Sequence, residues 1–161
     1  MTEMKCLGEV IEVLQDLKGE VTDTIYDLFF TEKGIIAAIV LHYSDSMERY
    51  HRPGLLTIFL GNGLRRAEIK RQSMRLIEER RQAFKNKTPE EILTTHRANV
   101  KIDYENIISV ATKKGLLSAS LEFLLQNYPR KKIQFSLQNS RIAEVERVIN
   151  KILPSKVLKT P

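Results

Sequence analysis

The chain has 161 residues, 42% of them hydrophobic, with 26 Lys and Arg against 20 Asp and Glu and a formal charge of +6. That length fits one domain with a sizeable insertion, and that apolar content can bury a core without a disulfide or metal staple. A lone Cys6 excludes an internal disulfide framework and fits a reducing cytoplasm, while the positive balance points to an acidic partner, nucleic acid or an anionic membrane surface. No secretory leader is expected, and the longest apolar runs, 34–41 and 54–60, fall short of the roughly 20 residues of a spanning helix.

Residues 7–17 read as a strand from their β-branched content and the flanking Gly8 and Gly19. Val10, Ile11, Val13, Leu14 and Leu17 would equally line one helical face. A β-hairpin follows, its two apolar runs separated by Thr31-Glu32-Lys33-Gly34, whose glycine can take positive φ at little cost, with Leu28 and Phe30 on one face. From Ser44 to Arg97 the pattern changes. Arg52-Pro53-Gly54 breaks any regular element, a short apolar run covers 54–60, and Gly61-Asn62-Gly63 breaks the chain again. Leu64 to Lys85 then predicts a helix with Ile69, Ser73, Leu76, Ile77, Ala83 and Phe84 on one side, while Arg65, Arg66, Lys70, Arg75, Arg81 and Lys85 occupy much of the rest. Between Glu48 and Lys87 lie eleven Lys or Arg against four acids, so this segment carries the whole positive balance.

Thr88, Pro89 and Glu91 form a capping-box signature for a short helix over Glu90 to about His96. Three strands come next. Val100, Ile102 and Tyr104 alternate, and Ile108 and Val110 continue after a kink at Glu105-Asn106. Leu121, Phe123 and Leu125 mark the second strand, and Ile133, Phe135 and Leu137 the third. Ser140 is placed to cap a final helix whose stripe is Ile142, Val145, Val148, Ile149 and Ile152, and Pro154 ends it, with fraying expected after Ser155. The sum is a single α+β domain: N-terminal strands 1–43, a helical insertion 44–97, strands and a closing helix 98–153, and a tail 154–161.

The segments YDLFFTEKGIIAAIV, VKIDYENIISVATKKG, KKIQFSLQNSRIAEVERVINKIL and TPEEILTTHRANVKIDY, taken in that order around the insertion, resemble prokaryotic pleckstrin-homology-like (PH-like) domains. The resemblance implies a strongly bent antiparallel β-sandwich or barrel with a C-terminal helix over one end, and binding rather than catalysis. It does not carry over a phosphoinositide site, because the first hairpin loop holds Lys33 beside Glu32 and no basic cluster.

Candidate chemistry is sparse. If 45–52 is helical, His42, Asp45, Glu48 and His51 share a face with metal-ligand residue types. Nothing else supports a metal site, and solvated loop residues are the better reading. Asp103 and Glu105 alternate onto the outer face of a strand, Gly61-Asn62-Gly63 reads as a helix start rather than an anion loop, and Cys6 reads as an ordinary thiol. No catalytic, metal or cofactor residues are assigned, and no enzyme is expected. The reading is a non-enzymatic interaction or assembly module, its partner another protein or a second copy, with Leu55, Leu56, Ile58 and Phe59 as interface. In the alternative, those four residues dip into an anionic membrane surface while Arg49, Arg52, Arg65, Arg66, Lys70 and Arg71 meet headgroups, a cytoplasmic protein at the membrane periphery. Nucleic-acid binding ranks third, because Glu68, Glu78 and Glu79 interrupt the basic helix and few aromatics stand ready to stack.

Overall fold

The computed structural model describes residues 7–20, 24–42 and 61–158, with the backbone alone for 61–66. Among them are seven strands, β1 (Val10–Lys18), β2 (Ile25–Thr31), β3 (Gly34–Leu41), β4 (Val100–Asp103), β5 (Ile107–Lys114), β6 (Ala119–Leu125) and β7 (Lys132–Leu137). The helices are α1 (Gly61–Phe84), α2 (Pro89–Thr94) and α3 (Ile142–Ile152). The chain is therefore α+β, and the segment 7–17 is a strand from Val10 onward.

All strand pairs are antiparallel and the order across the sheet is β4-β3-β2-β1-β7-β6-β5. The two edge strands, β4 and β5, are consecutive in the chain and separated only by the 3-10 turn Tyr104–Asn106. A three-residue link cannot span a flat seven-stranded sheet at about 4.8 Å per strand, so the sheet must bend until its edges approach. Among the described residues the edges do not pair, and the sheet stays unclosed. β1 meets β7 through the single pair Lys18 and Ser136.

Bending creates one enclosed core. Leu14, Leu17, Leu28, Phe30, Ile35, Ala37 and Ile102 from one half face Ile107, Val110, Leu121, Phe123, Leu125, Phe135 and Leu137 from the other. The stripe Val145, Val148 and Ile149 of α3, with Leu153 beyond it, fills the same core, as the helical spacing predicts. Ile107 rather than Ile108 enters it, because a register shift between Ile107 and Ser109 turns Ile108 out to solvent.

The β2–β3 hairpin is buried on both faces. Phe29, Ile36, Ala38, Val40 and Leu41 point away from the core and pack under Ile77 and Phe84 of α1, Ile92 of α2 and Leu7. This is why β3 reads GIIAAIVL without alternation: a strand covered on both sides needs apolar residues at every position. The hairpin turn is pinned by Thr31, whose Oγ donates to the Gly34 carbonyl (2.8 Å) and accepts from the Gly34 N–H (3.2 Å). Gly34 does not take positive φ. It is needed because a Cβ there would lie 2.6 Å from the Ile102 carbonyl oxygen of the neighbouring strand.

Four local expectations are corrected. Gly61-Asn62-Gly63 does not break the chain but forms the first turn of α1; glycine weakens a helix by about 1 kcal/mol relative to alanine, and twenty-odd following residues outweigh that at its end. Ala83 is exposed. Ser140 caps nothing, since it sits inside a 3-10 turn, Asn139–Arg141, and α3 begins at Ile142 without a side-chain cap. The tail does not fray at Ser155: Val110 donates to the Lys156 carbonyl (2.8 Å) and accepts from the Leu158 N–H (2.9 Å), covering part of the β5 edge. The capping box of α2 forms as predicted, with Thr88 and Glu91 exchanging bonds, but the helix ends at Thr94, short of His96.

Candidate functional site

Of the basic residues that the sequence singles out, Arg65, Arg66, Lys70 and Arg71 lie on α1, and how that helix is held sets where they stand. Asp27 occupies an outward-facing position of β2, between the inward Tyr26 and Leu28, and is fully buried beneath the helix. Arg81 of α1 answers it with two bonds, Nε to Oδ2 and Nη2 to Oδ1, each 2.7 Å. The same Nη2 reaches Asp16 Oδ1 at 2.7 Å, and the Asp16 N–H donates to Asp27 (3.1 Å). Asp16 can do this because it takes a positive φ of 59° in a bulge of β1, a conformation that aspartate tolerates. Two carboxylates hold the Arg81 guanidinium above its ordinary value, bonding to Asp27 being the largest cause, so it is a permanent cation. Arg80 adds a bond from Nη1 to the Val40 carbonyl (3.1 Å), and Phe84 meets Phe29 edge-on with centroids 5.7 Å apart.

Those anchors lie in the C-terminal half of the helix. Counting back from Ile77 in steps of three and seven, Met74 and Lys70 fall on the same side as the docking residues. Both are exposed, Met74 by 61%. The middle of α1 thus carries exposed side chains beside its anchored C-terminal turns. Arg71 and Arg75 are exposed there too, paired loosely along the helix with Glu68 (3.4 Å) and Glu79 (4.0 Å). At such exposure these pairs contribute little, and the side chains remain available for other anions.

Of the predicted site residues, the structure places Lys70 and Arg71 together on this exposed middle segment. Arg65 and Arg66 lie in the first turns of the same helix, and Arg49, Arg52, Leu55, Leu56, Ile58 and Phe59 lie outside the described residues. Asp45, Glu48 and His51 lie outside them as well. His42 sits at the end of β3 with its ring 5.2 Å from that of His96, and among the described residues no three His, Cys, Asp or Glu side chains gather as a metal site. Asp103 pairs with Lys101 (3.0 Å), and Glu105 is exposed.

A cleft of about 360 Å³ opens at the end of the folded sheet, between Tyr26, Val100 and Phe135 inside and Tyr128 and Arg130 at its mouth. Burial raises both phenols against the opposing charge of Arg130, so near neutral pH they are uncharged hydrogen-bonding groups and Arg130 is the cation of the cleft. Elsewhere the shifted carboxyls serve the fold. Lys151 and Arg147 of α3 hold Glu12 low, Lys113 and Lys132 hold Glu122 low, and main-chain N–H groups of Leu7 and Thr88 hold Glu90 and Glu91 low.

Sequence reasoning missed Asp27, Asp16 and the inward role of Arg81, which it placed on the solvated side. The available signal was the unbroken apolar run of β3. A doubly covered strand implies an outer layer, and a single carboxylate in its partner strand then requires a cation from that layer. It also missed Asn99, whose Oδ1 accepts from Ile39 (2.8 Å) and whose Nδ2 donates to Ile92 (2.9 Å), tying α2 to β3. Comparison of the chain with protein-family models, curated proteins and solved structures gives no match.

Proposed function

We propose that the chain is a non-enzymatic interaction module of PH-like architecture that engages its partner through the exposed middle of α1. The architectural part rests on the strand order β4-β3-β2-β1-β7-β6-β5 followed by a core-packed C-terminal helix, the layout that the sequence resemblance implies. The functional part rests on one observation: α1 is anchored toward its C-terminus by Arg81 and Asp27 and presents Lys70, Arg71, Met74 and Arg75 along its middle. A long helix held at one end, with cations around an exposed thioether, offers an acidic partner both charge and apolar contact. The deepest electrostatic network is spent on holding that helix, which fits recognition better than chemistry.

The test is sedimentation velocity over a concentration series, together with binding to acidic partner candidates, for the wild type and for a Lys70→Glu, Arg71→Glu, Arg75→Glu variant. The reading expects a complex or oligomer that the variant loses while its circular dichroism is unchanged. Assembly that is indifferent to the charge reversal would sink it. The same basic side chains also favour a second reading, an anionic membrane surface as the partner. Vesicle binding abolished by this variant would select that reading.

A further inference from the structure

The hairpin joining β5 to β6 ends in Gly115-Leu116-Leu117-Ser118, with Lys114 and Ala119 as its last pair. Leu116 is 96% exposed and Leu117 91%, the two most exposed large hydrophobic side chains of the described residues. The loop is not loose. Gly115 donates to the Ser118 carbonyl (2.9 Å), and Asn139, just before α3, donates through Nδ2 to the Gly115 carbonyl (3.0 Å). A turn of this kind asks for glycine and polar residues. Two leucines at its apex bury nothing and do no work for the fold.

The surroundings of the tip are basic. Lys113 and Lys114 lead into it, both exposed. Lys113 bonds Glu122 (2.8 Å), but Lys132 shares the same carboxylate (3.6 Å), so two cations face one acid. Leu117 also borders a concavity with Lys18 and Arg141, whose acid is Asp16; Arg141 is further engaged by Glu144 (3.0 Å). Five cations thus face four carboxylates around an apolar apex, Glu146 on Thr112 being the fourth (2.8 Å), on a chain of net charge +6.

We propose that Leu116 and Leu117 form an insertion tip for an anionic lipid bilayer, with Lys114, Lys113 and Lys18 set against the headgroups. The shape favours this occupant over a folded partner. A two-leucine apex offers a few hundred square ångström, against about 800 Å² per side in a standard protein interface. Interfacial insertion needs only apolar groups carried about 5–10 Å deep beside cations. The tip belongs to a different element from α1, so the proposal stands if α1 takes no lipid.

The chain contains no tryptophan, so Leu117→Trp places a single indole at the apex. Titrated with phosphatidylcholine vesicles containing about 30% phosphatidylserine, its emission should shift to the blue and be quenched by brominated acyl chains. Leu116→Ser with Leu117→Ser should weaken vesicle co-sedimentation by roughly tenfold with the fold intact. Equal shifts on pure phosphatidylcholine, no shift on either vesicle, or a shift with protein concentration in the absence of lipid would each overturn the proposal. The last outcome would identify a second copy as the occupant.

Discussion

Asp27 has no solvent and accepts from Arg81 through both carboxylate oxygens. Removing one partner of a buried pair strands the other, and Arg81→Met leaves the buried Asp27 without its cation, so it should destabilise the protein by about 3 kcal/mol in chemical denaturation. Adding Asp27→Ala should recover much of that loss, since no unpaired charge then remains under the helix. Purely additive losses would mean that the pair is not coupled. Tyr104 is the second such residue. Its hydroxyl donates to the Thr31 carbonyl (2.6 Å), and burial pushes the phenol from 10.0 up to about 12. The folded state therefore holds this proton more tightly than the unfolded chain does. The stabilisation is complete below pH 10 and is lost as pH rises through about 12. Tyr104→Phe should flatten the part of the alkaline stability slope that belongs to this residue; an unchanged slope would assign it to the buried phenols of Tyr26 and Tyr128.

Among the elements, the C-terminal tail departs most from its simple sequence reading. Residues 156–158 carry no strand-length apolar pattern, yet they pair with Val110, and Lys156 donates through Nζ to the Ile107 carbonyl (2.6 Å). They hold because the bulge at Ser109 leaves the Val110 main chain facing outward with no strand beyond β5. Truncation after Pro154 should cost about 2 kcal/mol, one or two ordinary hydrogen bonds' worth, and should speed amide exchange at Val110 more than at the centre of β6. Equal protection in the truncated chain would mean that the tail contributes no bond in solution. Helix α1 shows the complementary behaviour. Its charged residues divide between anchoring and display, a division that periodicity alone cannot see, because Lys70 and Arg81 both lie near the angular position of Ile77.

For the molecule as a whole, the two halves of the sheet meet through one main-chain pair but share a single apolar core with α3. Shared burial rather than hydrogen bonding couples them, so heat unfolding should show one transition, with near- and far-ultraviolet dichroism coincident. An earlier loss of helical signal alone would make the outer layer of α1 and α2 a separate cooperative unit. The exposed middle of α1 and the leucine tip are distinct presenting surfaces on this body, and their variants can be scored independently.

Local rules of chain geometry determined much of this from the sequence: β6 and β7 by alternation, the α3 stripe by helical spacing, the first hairpin by its turn, and the capping box of α2; the run from Val100 to Val110, read as one kinked strand, is two strands at opposite edges of the sheet. The basic character of α1 was equally legible, because charge is a property of composition. Only the tertiary structure decided which of those cations are buried, that β2 and β3 are covered on both faces, and that the edges β4 and β5 approach without pairing. Each of these depends on contacts between residues tens of positions apart. Such contacts are set by how the sheet bends and where the overlying helix stops, and neither leaves a periodic trace in the chain.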